Sequence, residues 1–293
     1  MITQRTSPDG VDLRAPEERR AEALAILEDH LPEQVKSGAV LEAKNVSKAF
    51  GGLQALSDIS LQVGAAQTTG LIGPNGAGKS TMFDVLNGFT IPDTGTVSAF
   101  GQDVTRSSPW ERAKLGMSRT FQANHIAMNM SVEENLLIGA HLCLEGGLFQ
   151  AALRTPKAYS TERSAREAVR AVAYLLDLEP LMTVRAGVLD FGSQRRIEIG
   201  RSLLGGARLV LLDEATAGLD AVEAHGLLEL VKRLQIDLGL AVLIIEHHVR
   251  SVMNMCDMIY VLDQGTLICS GPPSVVRNDP QVREAYLGEE RSV

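Results

Sequence analysis

Gly73-Pro74-Asn75-Gly76-Ala77-Gly78-Lys79-Ser80 is the stretch that decides the fold. It matches G-x-x-x-x-G-K-[ST] without a mismatch, the pattern of a loop that wraps a phosphate. The glycines let the backbone curl until its N–H groups point inward. Lys79 reaches toward the β- and γ-phosphates, and the Ser80 hydroxyl offers an oxygen to Mg²⁺. The flanks agree. Thr68-Thr69-Gly70-Leu71-Ile72 reads as a short buried strand. Thr81-Met82-Phe83-Asp84-Val85-Leu86 reads as a helix whose positive N-terminal end faces the anion. Strand, loop and helix in that order predict a site for a nucleoside triphosphate with magnesium.

Composition sets the bounds around this core. A hydrophobic share of 45% in 293 residues is enough for one large domain or two small ones and argues against disorder. The longest apolar runs, 209–212 and 240–245, are too short to span a bilayer. With no signal-peptide pattern at the N-terminus, the expected setting is the cytosol or a membrane reached through another protein. A net charge of −8 weighs against nucleic acid as a partner. Cys143, Cys256 and Cys269 form no C-x-x-C pair and read as reduced, structural thiols.

Outward from the loop, residues 1–39 read as an appended segment with one helix opening at Pro16 and ending near Pro32. One short amphipathic helix cannot make a core alone, so it packs on the body, packs on a partner, or stays loose. Strands are expected at 40–43, 59–63 and 95–100. Ser108-Pro109 starts a short helix that stops at Gly116, and Ser131-Val132-Glu133-Glu134 is a capping box. Helical spacing returns at 161–178. Beyond that, buried strands (209–212, 240–246) alternate with helices (221–237, 248–255), the mark of a parallel sheet covered on its faces. A hairpin closes the pattern at 258–261 and 266–269, around Asp263-Gln264-Gly265.

Chemistry is expected at the strand ends. Arg208-Leu209-Val210-Leu211-Leu212-Asp213-Glu214 is an apolar strand that delivers two carboxylates. Asp213 is placed to hold Mg²⁺, and Glu214 to polarise a water against the γ-phosphate. Ile244-Ile245-Glu246-His247 delivers His247 in the same manner, within reach of the γ-phosphate and the attacking water. Gln122 follows Arg119-Thr120-Phe121, and its amide can ligate Mg²⁺ or position water.

Two further stretches carry a family likeness: Leu189-Asp190-Phe191-Gly192-Ser193-Gln194-Arg195-Arg196 and Asp213-Glu214-Ala215-Thr216-Ala217-Gly218-Leu219-Asp220. Together with the loop, the chain from about residue 40 onward resembles the ATP-binding-cassette (ABC) ATPases. The resemblance implies an α/β fold. Its core is the doubly wound parallel sheet of P-loop NTPases, with an antiparallel β region and an inserted α-helical subdomain. The nucleotide-binding domain would then span 40–293, with the helical signature subdomain at about 126–205. It implies that Phe50 stacks on adenine and that 73–81, including Thr81, form the Walker A loop. Gln122 becomes the Q-loop glutamine, and Asp190, Gly192, Ser193 and Gln194 the signature. Asp213 and Glu214 close Walker B, Asp220 ends the D-loop, and His247 is the switch histidine. The ligands implied are ATP and Mg²⁺.

The likeness narrows to the branched-chain amino acid importer ATPases, the larger of their two types. Phe50-Gly51-Gly52-Leu53-Gln54-Ala55-Leu56, Arg119-Thr120-Phe121-Gln122, Gln194-Arg195-Arg196-Ile197-Glu198-Ile199 and Ala285-Tyr286-Leu287-Gly288-Glu289 carry it. The implied partners are a second ABC ATPase, two integral-membrane permeases and, indirectly, an external solute-binding protein, with no nucleic acid. The implied place is the cytoplasmic face of the membrane. Two rival readings are an ABC ATPase without a membrane partner, acting on nucleic acid or ribosomes, and an ATP-binding regulatory subunit with weak hydrolysis. Asp190 departs from the family, which normally carries Ser or a small residue there. Its carboxylate either repels the opposite subunit's γ-phosphate or caps the helix that follows. Ala215 and His248 are smaller departures, where Pro and Asp are usual.

Overall fold

A computed structural model describes residues 15–120, 126–141, 156–246 and 249–287. Its central sheet holds β3 (Thr68–Ile72), β6 (Met117–Thr120), β7 (Leu209–Asp213), β8 (Ala241–Ile245), β9 (Met258–Asp263) and β10 (Thr266–Gly271), in the order β10-β9-β3-β8-β7-β6. All pairings are parallel except the β9–β10 hairpin. That hairpin turns on Gln264 and Gly265, both at positive φ, as a two-residue type I′ turn demands.

β3, β7 and β8 are buried along their whole length, without alternation, because both their faces are covered. Period two still sorts their side chains. Leu209, Leu211, Leu243 and Ile245 enter one core, and Val210, Leu212, Val242 and Ile244 the other. The first core is roofed by an antiparallel sheet of β1 (Ala39–Phe50), β2 (Leu53–Gly64), β4 (Thr94–Ala99) and β5 (Gln102–Asp103), together with α2 (Lys79–Asn87). β1 and β2 are far longer than the expected strands at 40–43 and 59–63. Bulges break the alternation of β1 between Ala43 and Ala49, so the sequence pattern hid its second half.

The second core is covered by helices. α3 (Pro109–Lys114) stands at the edge near β6 and carries its expected cap, Ser108. α4 (Val132–His141) starts with the Ser131–Glu134 capping box. α5 (Pro156–Leu175) and α6 (Phe191–Leu204) pack with α4 around Gly200, where an added Cβ would sit 2.6 Å from Leu136 Cδ2. α7 (Ala221–Leu238) and α8 (Val249–Met255) complete the cover, and α9 (Pro273–Val276) and α10 (Pro280–Leu287) end the described chain.

The N-terminal helix α1 (Pro16–His30) joins the body. Leu27 is fully buried, worth about 2 kcal/mol for a leucine side chain. Arg19 pairs with Glu179 at 2.5 Å and lies over the Tyr174 ring, and Arg20 pairs with Asp237 of α7. The expectation left three options for this helix, and the contacts pick the first.

Candidate nucleotide site

Parallel strands place their carboxyl ends on one edge, where an open α/β sheet binds its ligand. Here the ends are level: Leu71 and Asp213 both pair with Ile245, and Leu212 with Thr120. β3 therefore releases the 73–78 loop at the same edge where β7 releases Asp213-Glu214 and β8 releases Glu246.

The phosphate loop is braced from behind. Gly73 has φ +155°, and a Cβ there would lie 2.1 Å from the Leu262 carbonyl oxygen. Gly78, the left-handed residue that opens α2, approaches Ala55 O in the same way. The β9–β10 turn closes the back of the loop: Gly265 N–H donates to Ala77 O at 3.1 Å, and Ser57 N–H donates to Gly265 O at 2.7 Å. On the open side, Asn75, Gly76 and Ser80 are exposed and Thr81 is half-buried. Lys79 is almost buried, its ammonium donating to the carbonyls of Gly73 and Pro74 at 2.7 and 2.8 Å. The loop thus holds a cation and the positive end of a helix against a concave backbone, an anion site.

Asp213 ends β7 at 5% exposure. Burial pushes its carboxyl above the usual range, while the Arg119 guanidinium pulls the other way. Glu214 sits at φ +48°, a left-handed conformation that costs a non-glycine residue about 1 kcal/mol or more. Its N–H is tied to Ile245 O at 3.0 Å, and Ala217 N–H bonds its carbonyl at 3.0 Å. The turn is thereby fixed with the Glu214 side chain half-buried at the strand edge. Ser80 hydroxyl and Asp213 carboxylate are hard oxygen donors of the type Mg²⁺ takes. Among the described residues no three His, Cys, Asp or Glu gather into a metal cluster.

Three positioning groups escaped the sequence reading. Glu246, 3% exposed, accepts from Thr216 N–H at 3.0 Å and from Thr216 Oγ1 at 2.8 Å, and so locks the segment after Glu214. Arg112 is fully buried. It donates to Val85 O at 2.8 Å, Leu86 O at 2.5 Å and Val104 O at 2.6 Å, satisfying the carbonyl end of α2, and burial lowers its pKa to about 10. Arg119, at the end of β6, grips Asp84 and Asp213. Each looks like an ordinary charge in sequence. Only Glu246 left a signal, a charged residue directly after the apolar strand β8.

The signature and D-loop residues serve helix ends. Asp190 is the N-cap of α6, accepting from Ser193 N–H at 2.7 Å and from Ser193 Oγ at 2.9 Å, and the first of these bonds holds its carboxyl below the usual range. Gln194, named above within the signature, is buried and donates to the carbonyls of Ala186 and Leu189. Gly192 is half-buried beside Leu219, which joins the signature turn to the D-loop. Asp220 caps α7 in a reciprocal box with Glu223. Phe50 is 49% exposed at the tip of the β1–β2 hairpin, with the Lys48 ammonium 5.5 Å from its ring centroid. Gln122, His247, His248 and Cys143 lie outside the described residues.

The family model for ABC transporters matches residues 56–217, more than half of the chain. The chain belongs to the ABC transporter ATP-binding family. A second model, for branched-chain amino acid ATP-binding cassette transporters, matches residues 266–292 of this ABC protein. It is 38% identical over 256 residues to the high-affinity branched-chain amino acid transport ATP-binding protein LivG of Escherichia coli K12, and 36% identical to BraF of Pseudomonas aeruginosa. Both alignments cover 86% of this chain and 99% of the relative. Among solved structures it resembles MJ1267, an ATP-binding cassette of an ABC transporter, at TM-score 0.72 and 34% identity, covering 85% of this chain and 99% of that one. CbiO1 of Clostridium perfringens, at 24% identity and TM-score 0.71, shares the fold.

Proposed function

We propose that this ABC protein is the ATP-hydrolysing subunit of an importer for branched-chain amino acids or related small polar solutes. It would work at the cytoplasmic face of the membrane. The observation that carries the reading is the convergence, at one sheet edge, of the braced 73–80 loop and the Asp213-Glu214 turn in a chain that aligns with LivG and BraF across 86% of its length. The 266–292 match supports the solute class. Among the described residues no helix is long and apolar enough to cross a membrane. In this reading two partner permeases carry the solute, as the LivG and BraF likeness supports. A second ABC ATPase completes the assembly, and an external binding protein acts through those permeases.

The loop amides, the α2 N-terminus and Lys79 bind the triphosphate, Lys79 exchanging its carbonyl partners for phosphate oxygens. Phe50, exposed at a hairpin tip, offers a face to adenine. Ser80 and Asp213 are the residues that would hold Mg²⁺, with Gln122 as a further oxygen donor. When bound, the ion neutralises charge on the β- and γ-phosphates. Glu214 orients a water in line with the γ-phosphate, and His247 steadies that phosphate. As the water oxygen bonds to phosphorus and gives a proton to the Glu214 carboxylate, the bond to the β-phosphate oxygen breaks, leaving ADP and inorganic phosphate. The signature turn, with Asp190 exposed, Gly192 half-buried and Ser193 buried behind them, would face a partner's nucleotide. Losing the γ-phosphate removes the contact that bridges the pair, so hydrolysis reopens it.

Glu214→Gln tests the chemistry. ATP turnover should fall by about 10²–10³ while ATP binding stays within a few-fold. Undiminished turnover would remove Glu214 from the mechanism. Purification from native membranes in mild detergent tests the assembly. Two multi-spanning permeases and a different ATPase are the expected companions; ribosomes or soluble partners alone would overturn the importer reading.

A further inference from the structure

We propose that Arg119 is a positioning residue that staples together the two elements from which Mg²⁺ would be held, a role resting on the nucleotide reading above. Its Nη1 donates to Asp84 Oδ1 at 2.7 Å, and its Nη2 to Asp213 Oδ2 at 2.7 Å. Asp84 lies four residues after Ser80 on α2, so the two share one face of that helix. Asp213 is the strand-end carboxylate of β7. One planar guanidinium on β6 therefore fixes the distance between the helix that carries Ser80 and the strand that carries Asp213.

The geometry of the group suits the task. A guanidinium presents its donors in a rigid fork, which an ammonium cannot do. The fork is held in plane by two rings: Arg119 Cζ lies 4.9 Å from the Phe83 centroid and 5.2 Å from that of Phe89. Arg119 is 15% exposed and Asp213 5%, so their contact is shielded from solvent, whereas Asp84, at 38%, anchors the outer arm. With Oδ2 held, Asp213 has one oxygen left to offer, already oriented. Outer partners that orient a metal-holding carboxylate govern metal affinity more than they govern the rest of the site.

The test separates metal from nucleotide. Binding of a fluorescent ATP analogue to the full chain is measured first in EDTA and then during a Mg²⁺ titration, for wild type, Arg119→Gln, Arg119→Lys and Asp84→Asn. In EDTA the three variants should stay within about twofold of wild type, because the 73–80 loop is untouched. The Mg²⁺ concentration at half-effect should rise about tenfold in Arg119→Gln and about threefold in Asp84→Asn, which cuts only the outer arm. Arg119→Lys should fall between wild type and Arg119→Gln, since one ammonium can serve one carboxylate well. Should Arg119→Gln melt below assay temperature, Asp84→Asn, altered at a half-exposed side chain, decides alone. Unshifted Mg²⁺ midpoints, or metal-free binding that weakens as much as metal-dependent binding, overturn the staple. A wild-type chain that binds no analogue sinks the nucleotide reading and the staple with it.

Discussion

The Walker A loop and the signature turn are both glycine-containing loops that open a helix, yet their polar groups are used differently. At 73–80 the side facing the protein is filled by Leu262, Ala55 and Gly265, while Asn75, Gly76 and Ser80 face outward. At 189–194 the polar side chains turn back on their own helix: Asp190 caps it, Ser193 answers Asp190, and Gln194 satisfies the carbonyls of Ala186 and Leu189. The first loop is built for a ligand by its backbone. The second is a self-satisfied turn, exposed at Val188 and Phe191. An ATP held between two subunits needs both kinds of half-site.

The severest way to break the first half-site is Gly73→Ala. A Cβ 2.1 Å from the Leu262 carbonyl oxygen meets backbone, which cannot yield as a flexible side chain could. The expected result is loss of nucleotide binding and a destabilisation of about 3 kcal/mol, since strain and overlap add. Isothermal titration with ATP and a denaturant melt measure the two. Near-normal binding would show that the brace behind the loop is soft.

That brace also marks the limit of what the sequence disclosed. The 73–80 loop, the Asp213-Glu214 strand end, the helix start at Ser108 and the capping box at Ser131 were legible because the interactions are local: residues within eight positions carry the whole signal. The docking of α1 was not legible, since Leu27 is buried by helices more than a hundred residues away and the helix alone cannot announce its partner. Nor were Arg112, Arg119 and Glu246. Charged residues are normally solvated, and only tertiary structure shows that these are spent on carbonyls, carboxylates and a buried threonine. The second half of β1 was lost to its bulges.

Glu246→Gln sharpens the comparison on the Walker B side. The amide can still accept from Thr216, but it loses the charge that makes both bonds strong. Stability should fall by about 1–2 kcal/mol and ATP turnover by roughly tenfold, with nucleotide affinity nearly unchanged, because the residue governs where Glu214 points and leaves the phosphate loop alone. Thermal melting and steady-state kinetics read the two effects. Equal losses in affinity and turnover would mean that Glu246 supports the whole edge and has no special hold on the catalytic turn.

The smallest effect on folding falls on Asp190, and it tests whether the signature turn is only a cap. Asp190→Ala should cost about 1 kcal/mol of stability, and Asp190→Ser about a few tenths, since serine caps nearly as well. The pH dependence has a definite sign. The Ser193 N–H bond depresses the folded pKa of Asp190 below its ordinary 3.8, so the ionised cap is at full strength above that value. Its contribution is lost as pH falls through the depressed folded pKa, and the stability gap to Asp190→Ala narrows there. Function separates from folding in the assembled transporter. Asp190 is exposed while it caps α6, and in the proposed two-ATPase assembly its charge would oppose the partner's γ-phosphate. Asp190→Ser keeps the cap and removes the charge, and it should raise ATP turnover coupled to transport in reconstituted vesicles. An unchanged or lower rate would reduce Asp190 to a capping residue, and the contrast between the two half-sites would then be one of hydrogen bonding alone.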